Sequence, residues 1–82
     1  MKVSREGGLL TVELHGMRAE EARQRLLSLV EHAGTDVREI LVIHGYHSGQ
    51  ALRDMVRNEL SSPRIREIRP AFQAGQTVIL LK

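Results

Sequence analysis

Eighty-two residues with 41% apolar and 27% charged side chains have the composition of one small globular domain and exclude a disordered chain. The absence of cysteine excludes a disulfide framework and a thiolate metal site, and no apolar run approaches the roughly 18 residues of a membrane span. Formal charge is only +2, but arginine supplies ten of the twelve basic side chains, and arginine suits bidentate contacts to phosphate.

The chain opens on Met1-Lys2-Val3-Ser4-Arg5-Glu6, polar from the second residue. This is no signal-peptide pattern, so the expected location is cytoplasmic. Residues 1–8, ending in the Gly7-Gly8 turn, are expected to be a loosely ordered lead-in to a domain spanning 1–82. Leu10, Val12 and Leu14 then alternate with Leu9, Thr11 and Glu13, which is strand period. The first three should face a core, leaving Glu13 and His15 two residues apart on the other side. From Arg18 to Ala33, the residues Ala19, Ala22, Leu26, Leu29, Val30 and Ala33 form a helical stripe, with Glu20 and Glu21 in the first turn and Gly34 as the stop.

Ile40-Leu41-Val42-Ile43 closes a second strand, from Val37 to Ile43. Its unbroken apolar run suits a position in the middle of a sheet. A second helix is expected over roughly Gly49 to Leu60, capped by Ser48 and buried through Leu52, Met55, Val56 and Leu60. Ser61-Ser62-Pro63 ends it. Ile65 to Arg69 reads as a charged edge strand, and Thr77 to Leu81 as an apolar internal one. The order is therefore βαβαββ: an α/β, two-layer arrangement in which both helices cover one face of a four-stranded sheet.

Two stretches concentrate the chemistry. Leu14-His15-Gly16 and Ile43-His44-Gly45 each end a strand and precede a helix. If these strands are parallel neighbours, both His-Gly pairs lie at one carboxyl edge, where open α/β sheets bind ligands. The loop Gly45-Tyr46-His47-Ser48-Gly49 would present main-chain N–H groups and a helix start to an anion, and Arg53 follows it. Tyr46 could stack on a base or cover the second helix; the sequence leaves this open. Only Tyr46 and Phe72 are aromatic, which argues against a multi-base stacking sheet. His and carboxylate side chains can ligate a metal, so a metal reading stays open, but no histidine pair has helical metal-ligand spacing; neither a metal site nor a cofactor is expected.

On these residues the chain resembles the Smr (small MutS-related) domain family. Val12 to Ala22, with Leu14-His15-Gly16 at its centre, is similar to the family's "LDLHG" strand end and first helix. Ile43-His44-Gly45, with Ser48-Gly49 and Ala51-Leu52-Arg53, resembles its "HGxGxGxLR" segment. Arg69-Pro70 and Thr77 to Leu80 fit its closing strands. The resemblance implies a mixed sheet of strand order 1-2-4-3 with the last strand antiparallel. It also implies nucleic-acid binding, of RNA or DNA and in some members on ribosomes, and in several members endonuclease activity.

Grouped at one sheet edge, Glu13, His15 and His44 are the catalytic candidates, and Gly16, Gly45, Tyr46, His47, Ser48, Gly49 and Arg53 the nucleic-acid-binding ones. The chain departs from the family where Glu13 stands for the usual Asp, where Tyr46 and His47 replace a Lys and a Gly, and where Gln50 is inserted. With no MutS ATPase region, a stand-alone domain is expected. Three classes of function remain open: an endonuclease, a non-catalytic nucleic-acid or ribosome-binding module, and a protein-interaction domain.

Overall fold

The computed structural model describes residues 1–45 and 50–82. The strands are β1 (Lys2–Glu6), β2 (Leu9–Glu13), β3 (Glu39–Ile43), β4 (Ile65–Pro70) and β5 (Gln76–Leu81). The helices are α1 (Ala19–His32) and α2 (Ala51–Asn58). The sheet order is β1-β2-β3-β5-β4. β2 and β3 are parallel, and every other pair is antiparallel.

This corrects the expected four-stranded sheet to five strands. The four expected strands keep the relative order β2-β3-β5-β4, and Lys2–Glu6, expected to be a loosely ordered lead-in, pairs along β2 from Lys2↔Glu13 to Glu6↔Leu9. Its one apolar residue, Val3, carries no period-2 signal. The strand is held by the ladder, by an ion pair from Arg5 to Asp36, and by Arg5 Nε donating to Gly7 O at 2.8 Å. Charged Lys2, Arg5 and Glu6 on this outer strand discourage edge-to-edge pairing.

Alternation places Leu10, Val12, Ile40, Val42, Ile79 and Leu81 on one face. There they form a single core with Ala22, Leu26 and Val30 of α1 and Leu52, Met55 and Val56 of α2, so both helices lie on that face. β3 is the central strand, as its apolar run suggests, but its other face, Leu41 and Ile43, is only half-buried. The helix ends differ in detail from the sequence reading. α1 is followed by an extended C-cap at Ala33, and Arg64 donates to the main-chain oxygens of Val30 in the last turn and of Ala33. α2 begins at Ala51 after an N-cap at Gln50 that makes no side-chain cap bond, whereas Gly49 had been the expected start. The expected cap Ser48 lies outside the described residues.

The β1–β2 turn packs tightly on the segment before β3. Gly8 O accepts from Arg38 N at 2.7 Å, and a Cβ on Gly8 would sit 2.9 Å from the main-chain oxygen of Asp36. Gly8→Ala should therefore destabilise the domain by about 1–3 kcal/mol in urea unfolding, because backbone cannot swing aside. Gly34→Ala is the control. There the obstruction is the Asp36 carboxylate at 2.7 Å, the end of an exposed side chain that can shift together with its Arg5 partner, and the effect should stay within about 0.5 kcal/mol.

Candidate functional site

Three turns meet at the carboxyl edge of β2 and β3. Leu14 N donates to Ile43 O at 3.0 Å, so the parallel ladder runs on past Glu13↔Ile43. One step further, Leu14 stands level with His44, and both are buried. His15 stands level with Gly45 and leaves by the opposite face. The third turn is the tip of the β4–β5 hairpin, where Gly75 O accepts from both His44 N and Gly45 N at 3.0 Å.

His44 is 5% exposed and both its ring nitrogens are engaged. A carbonyl can only accept, so Nδ1 carries the proton and donates to Gly45 O at 3.0 Å. Nε2 must then accept, and the Thr77 hydroxyl donates to it at 2.8 Å. Thr77 Oγ1 in turn accepts from Arg57 Nε at 3.0 Å. Each donor in this chain meets an acceptor only if the imidazole is neutral. Burial accordingly pushes the His44 pKa below its ordinary value, the carbonyl of Gly45 opposes that shift, and the nearby Arg57 and Arg53 charges reinforce it.

His15 is the opposite case. Its side chain is 89% exposed, with Nδ1 3.5 Å from Glu13 Oε1. Met1 and Lys2 of β1 join this pair around a shallow hollow of about 230 Å³. Gly16 and Gly45 both have positive φ, 71° and 76°, and no atom within 4 Å of where a Cβ would stand, so nothing covers the Cα side of either turn, while the Gly45 N–H and carbonyl are taken by Gly75 O and His44 Nδ1. Arg53, half-exposed on α2, lies 3.4 Å from Asp54 Oδ1. Thus Glu13, His15, Gly16, His44, Gly45 and Arg53 share one edge, while the two histidines serve opposite faces of it. The candidates Tyr46, His47, Ser48 and Gly49 lie outside the described residues. Among the described residues no group of three or more His, Asp or Glu could hold a metal ion.

Arg57 and Thr77 were not singled out by the sequence. Arg57 follows Arg53 by one helical turn, a spacing that was available as a signal; the contact of Thr77 with His44 depends on β5 lying beside β3. Phe72 stands fully exposed on the hairpin tip.

The family model of the Smr domain matches residues 12–82. The chain belongs to the Smr family. A crystal structure of the Smr domain of Thermus thermophilus MutS2 matches this Smr domain with a TM-score of 0.67 and 25% identity, over 88% of this chain and 96% of that one. No curated protein sequence matches. The family is associated in general with nucleic-acid binding and nuclease-like activity. No helix among the described residues is long and apolar enough to cross a membrane.

The His44 chain sets a pH dependence. Its folded pKa lies below the unfolded value of about 6.5, so the unfolded state takes up the proton first as pH falls. The stabilisation is complete above about pH 6.5 and declines below it until the folded ring itself protonates, with a slope of at most about 1.4 kcal/mol per pH unit from this one group. Urea unfolding between about pH 7.5 and 5 should show this decline, and His44→Gln should flatten it. Thr77→Val leaves His44 Nε2 and Arg57 Nε without their shared hydroxyl and should cost about 1–3 kcal/mol at pH 7.5 by the same measurement.

Proposed function

We propose that this Smr domain binds nucleic acid along the edge formed by the Gly16 turn, the Gly45 turn and the start of α2, chiefly through phosphates. The observation that carries the reading is the juxtaposition of two uncovered positive-φ glycine turns on neighbouring parallel strand ends, with Arg57 bonded to Thr77 beside the His44 ring and Arg53 one helical turn before it on α2. Glycine turns without a covering side chain let a phosphate come close, and guanidinium groups beside them are complementary to its oxygens; the His44 and Gly45 N–H groups are themselves taken by Gly75 O. In this reading His44 is a positioning residue that braces Gly45, and Gly45 to Gly49 with Arg53 form the phosphate contact. RNA, DNA and a ribosomal site all offer that chemistry, and the domain acts as one unit over residues 1–82.

A second reading, phosphodiester cleavage, is favoured by one feature, the exposed His15–Glu13 pair. A histidine beside a carboxylate can take the proton of an RNA 2′-hydroxyl, whose oxygen then attacks the adjacent phosphorus while the P–O5′ bond breaks and the departing 5′-oxygen takes a proton from water, whereas DNA would need an activated water as nucleophile. Cleavage by this pair would therefore prefer RNA, survive EDTA, and fall by roughly 10²–10⁴-fold in His15→Ala.

Binding is measured by fluorescence anisotropy with labelled RNA and DNA at several salt concentrations. Few cations near one edge neutralise few phosphates, so log affinity against log salt should have a slope on the order of −2 to −4. Arg53→Ala should reduce that slope by about one and weaken RNA and DNA alike. Salt-independent retention of a protein partner, with no nucleic acid bound, would favour the protein-interaction class instead.

A further inference from the structure

We propose that Phe72 is the stacking platform for an unpaired base, so that this edge takes single-stranded rather than closed duplex nucleic acid. The inference rests on the nucleic-acid reading and adds to it the form of the ligand.

Phe72 is one of two aromatic residues in the chain and is 105% exposed, more than any other large apolar residue described. It contributes nothing to the core. Yet the tip that carries it is tightly held. Gly75 O receives two N–H groups from the His44–Gly45 turn, Ala71 N donates to Gln76 O at 3.2 Å, and Gln76 N donates to Gln73 O at 3.2 Å. A side-chain bond from Gln76 Nε2 to Gln73 Oε1, also 3.2 Å, adds to these. The ring is thus presented from a braced support.

The ring borders an open hollow of about 560 Å³, shared with Ile43, Gly45, Gln73, Gly75 and Gln76. Ile43 gives the hollow an apolar wall, Gln73 and Gln76 bond each other through one amide group apiece and keep the other for a base edge, and Gly45 adds a glycine whose Cα side nothing covers. These are parts a nucleotide needs: a ring to stack on, hydrogen-bonding groups at the base edge, and a side-chain-free glycine turn that a sugar–phosphate can approach closely. Gln76, Ile43 and Glu13 stand side by side on β5, β3 and β2, so Glu13 lies one strand spacing, about 5 Å, from the Ile43 side of the hollow and about 10 Å from its Gln76 side. A strand with one base on Phe72 would carry its neighbouring phosphates across Gly45 and Gly16 towards His15. In a closed duplex each base is already stacked on both faces and offers none to the ring.

The test compares the affinities of a short labelled RNA, single-stranded and annealed to its complement, for the wild type, Phe72→Ala, Phe72→Trp and Arg53→Ala. Circular dichroism confirms that each is folded. The wild type should prefer the single strand, and Phe72→Ala should lower that preference by about 5- to 100-fold. Phe72→Trp should retain the preference, and as the only tryptophan in the chain its emission should be quenched by the single strand. Unchanged single-strand affinity in Phe72→Ala, with weaker binding in Arg53→Ala, overturns the stacking role and leaves the phosphate edge standing. Equal wild-type affinity for duplex and single strand also overturns it. Failure of the wild type to bind either form overturns both readings together.

Discussion

Parallel pairing of β2 with β3, in the register that sets Glu13 beside Ile43, is the constraint on which the rest of this edge depends. The two His-Gly sequences are one residue out of step in that register. Leu14, not His15, lies level with His44. Because strand side chains alternate, one step is enough to send His44 towards the helices and His15 towards the uncovered face. Two similar sequence motifs thereby acquire opposite environments. One imidazole is buried, neutral and bonded at both nitrogens, and the other is exposed beside a carboxylate.

The second constraint comes from β5. It runs antiparallel between β3 and β4, so its first residue, Gln76, lies opposite the last of β3, Ile43. The hairpin that leads into β5 must therefore turn at the carboxyl edge of the parallel pair. That brings Gly75 to the amides of His44 and Gly45, Thr77 to the His44 ring, and Phe72 to the rim of the same hollow. Arg57 reaches this cluster from α2 through the Thr77 hydroxyl. Residues distant in sequence are linked through one histidine, and each added bond holds the Gly45 turn more firmly.

Charge is divided along this edge. Arg53 and Arg57 lie on the helix side, where their field helps keep His44 neutral. Glu13 and His15 lie on the open side, next to Lys2 of β1. The extra strand thus does more than widen the sheet, because it walls one flank of the His15 turn. A ligand approaching the two glycine turns would meet cations on one side and a carboxylate–imidazole pair on the other.

Much of the fold was legible in the sequence because it is written in local periods. The alternation from Leu9 to Leu14, the helical stripe Ala22-Leu26-Val30 and the apolar run at Ile40–Ile43 each specify an element within a few residues of the observed one. The Smr motifs likewise marked the edge where the glycine turns and Arg53 gather. β1 was not legible, since Lys2-Val3-Ser4-Arg5-Glu6 has no buried face and becomes a strand only by pairing with β2 and through the reach of Arg5 to Asp36. Nor could the sequence distinguish the two histidines, or join Thr77, Arg57 and Phe72 to them. Register and burial are relations between segments far apart in the chain, so residue patterns determined which elements form and which residues reach the edge. Only the packed sheet decided which histidine is sealed inside it and which faces water.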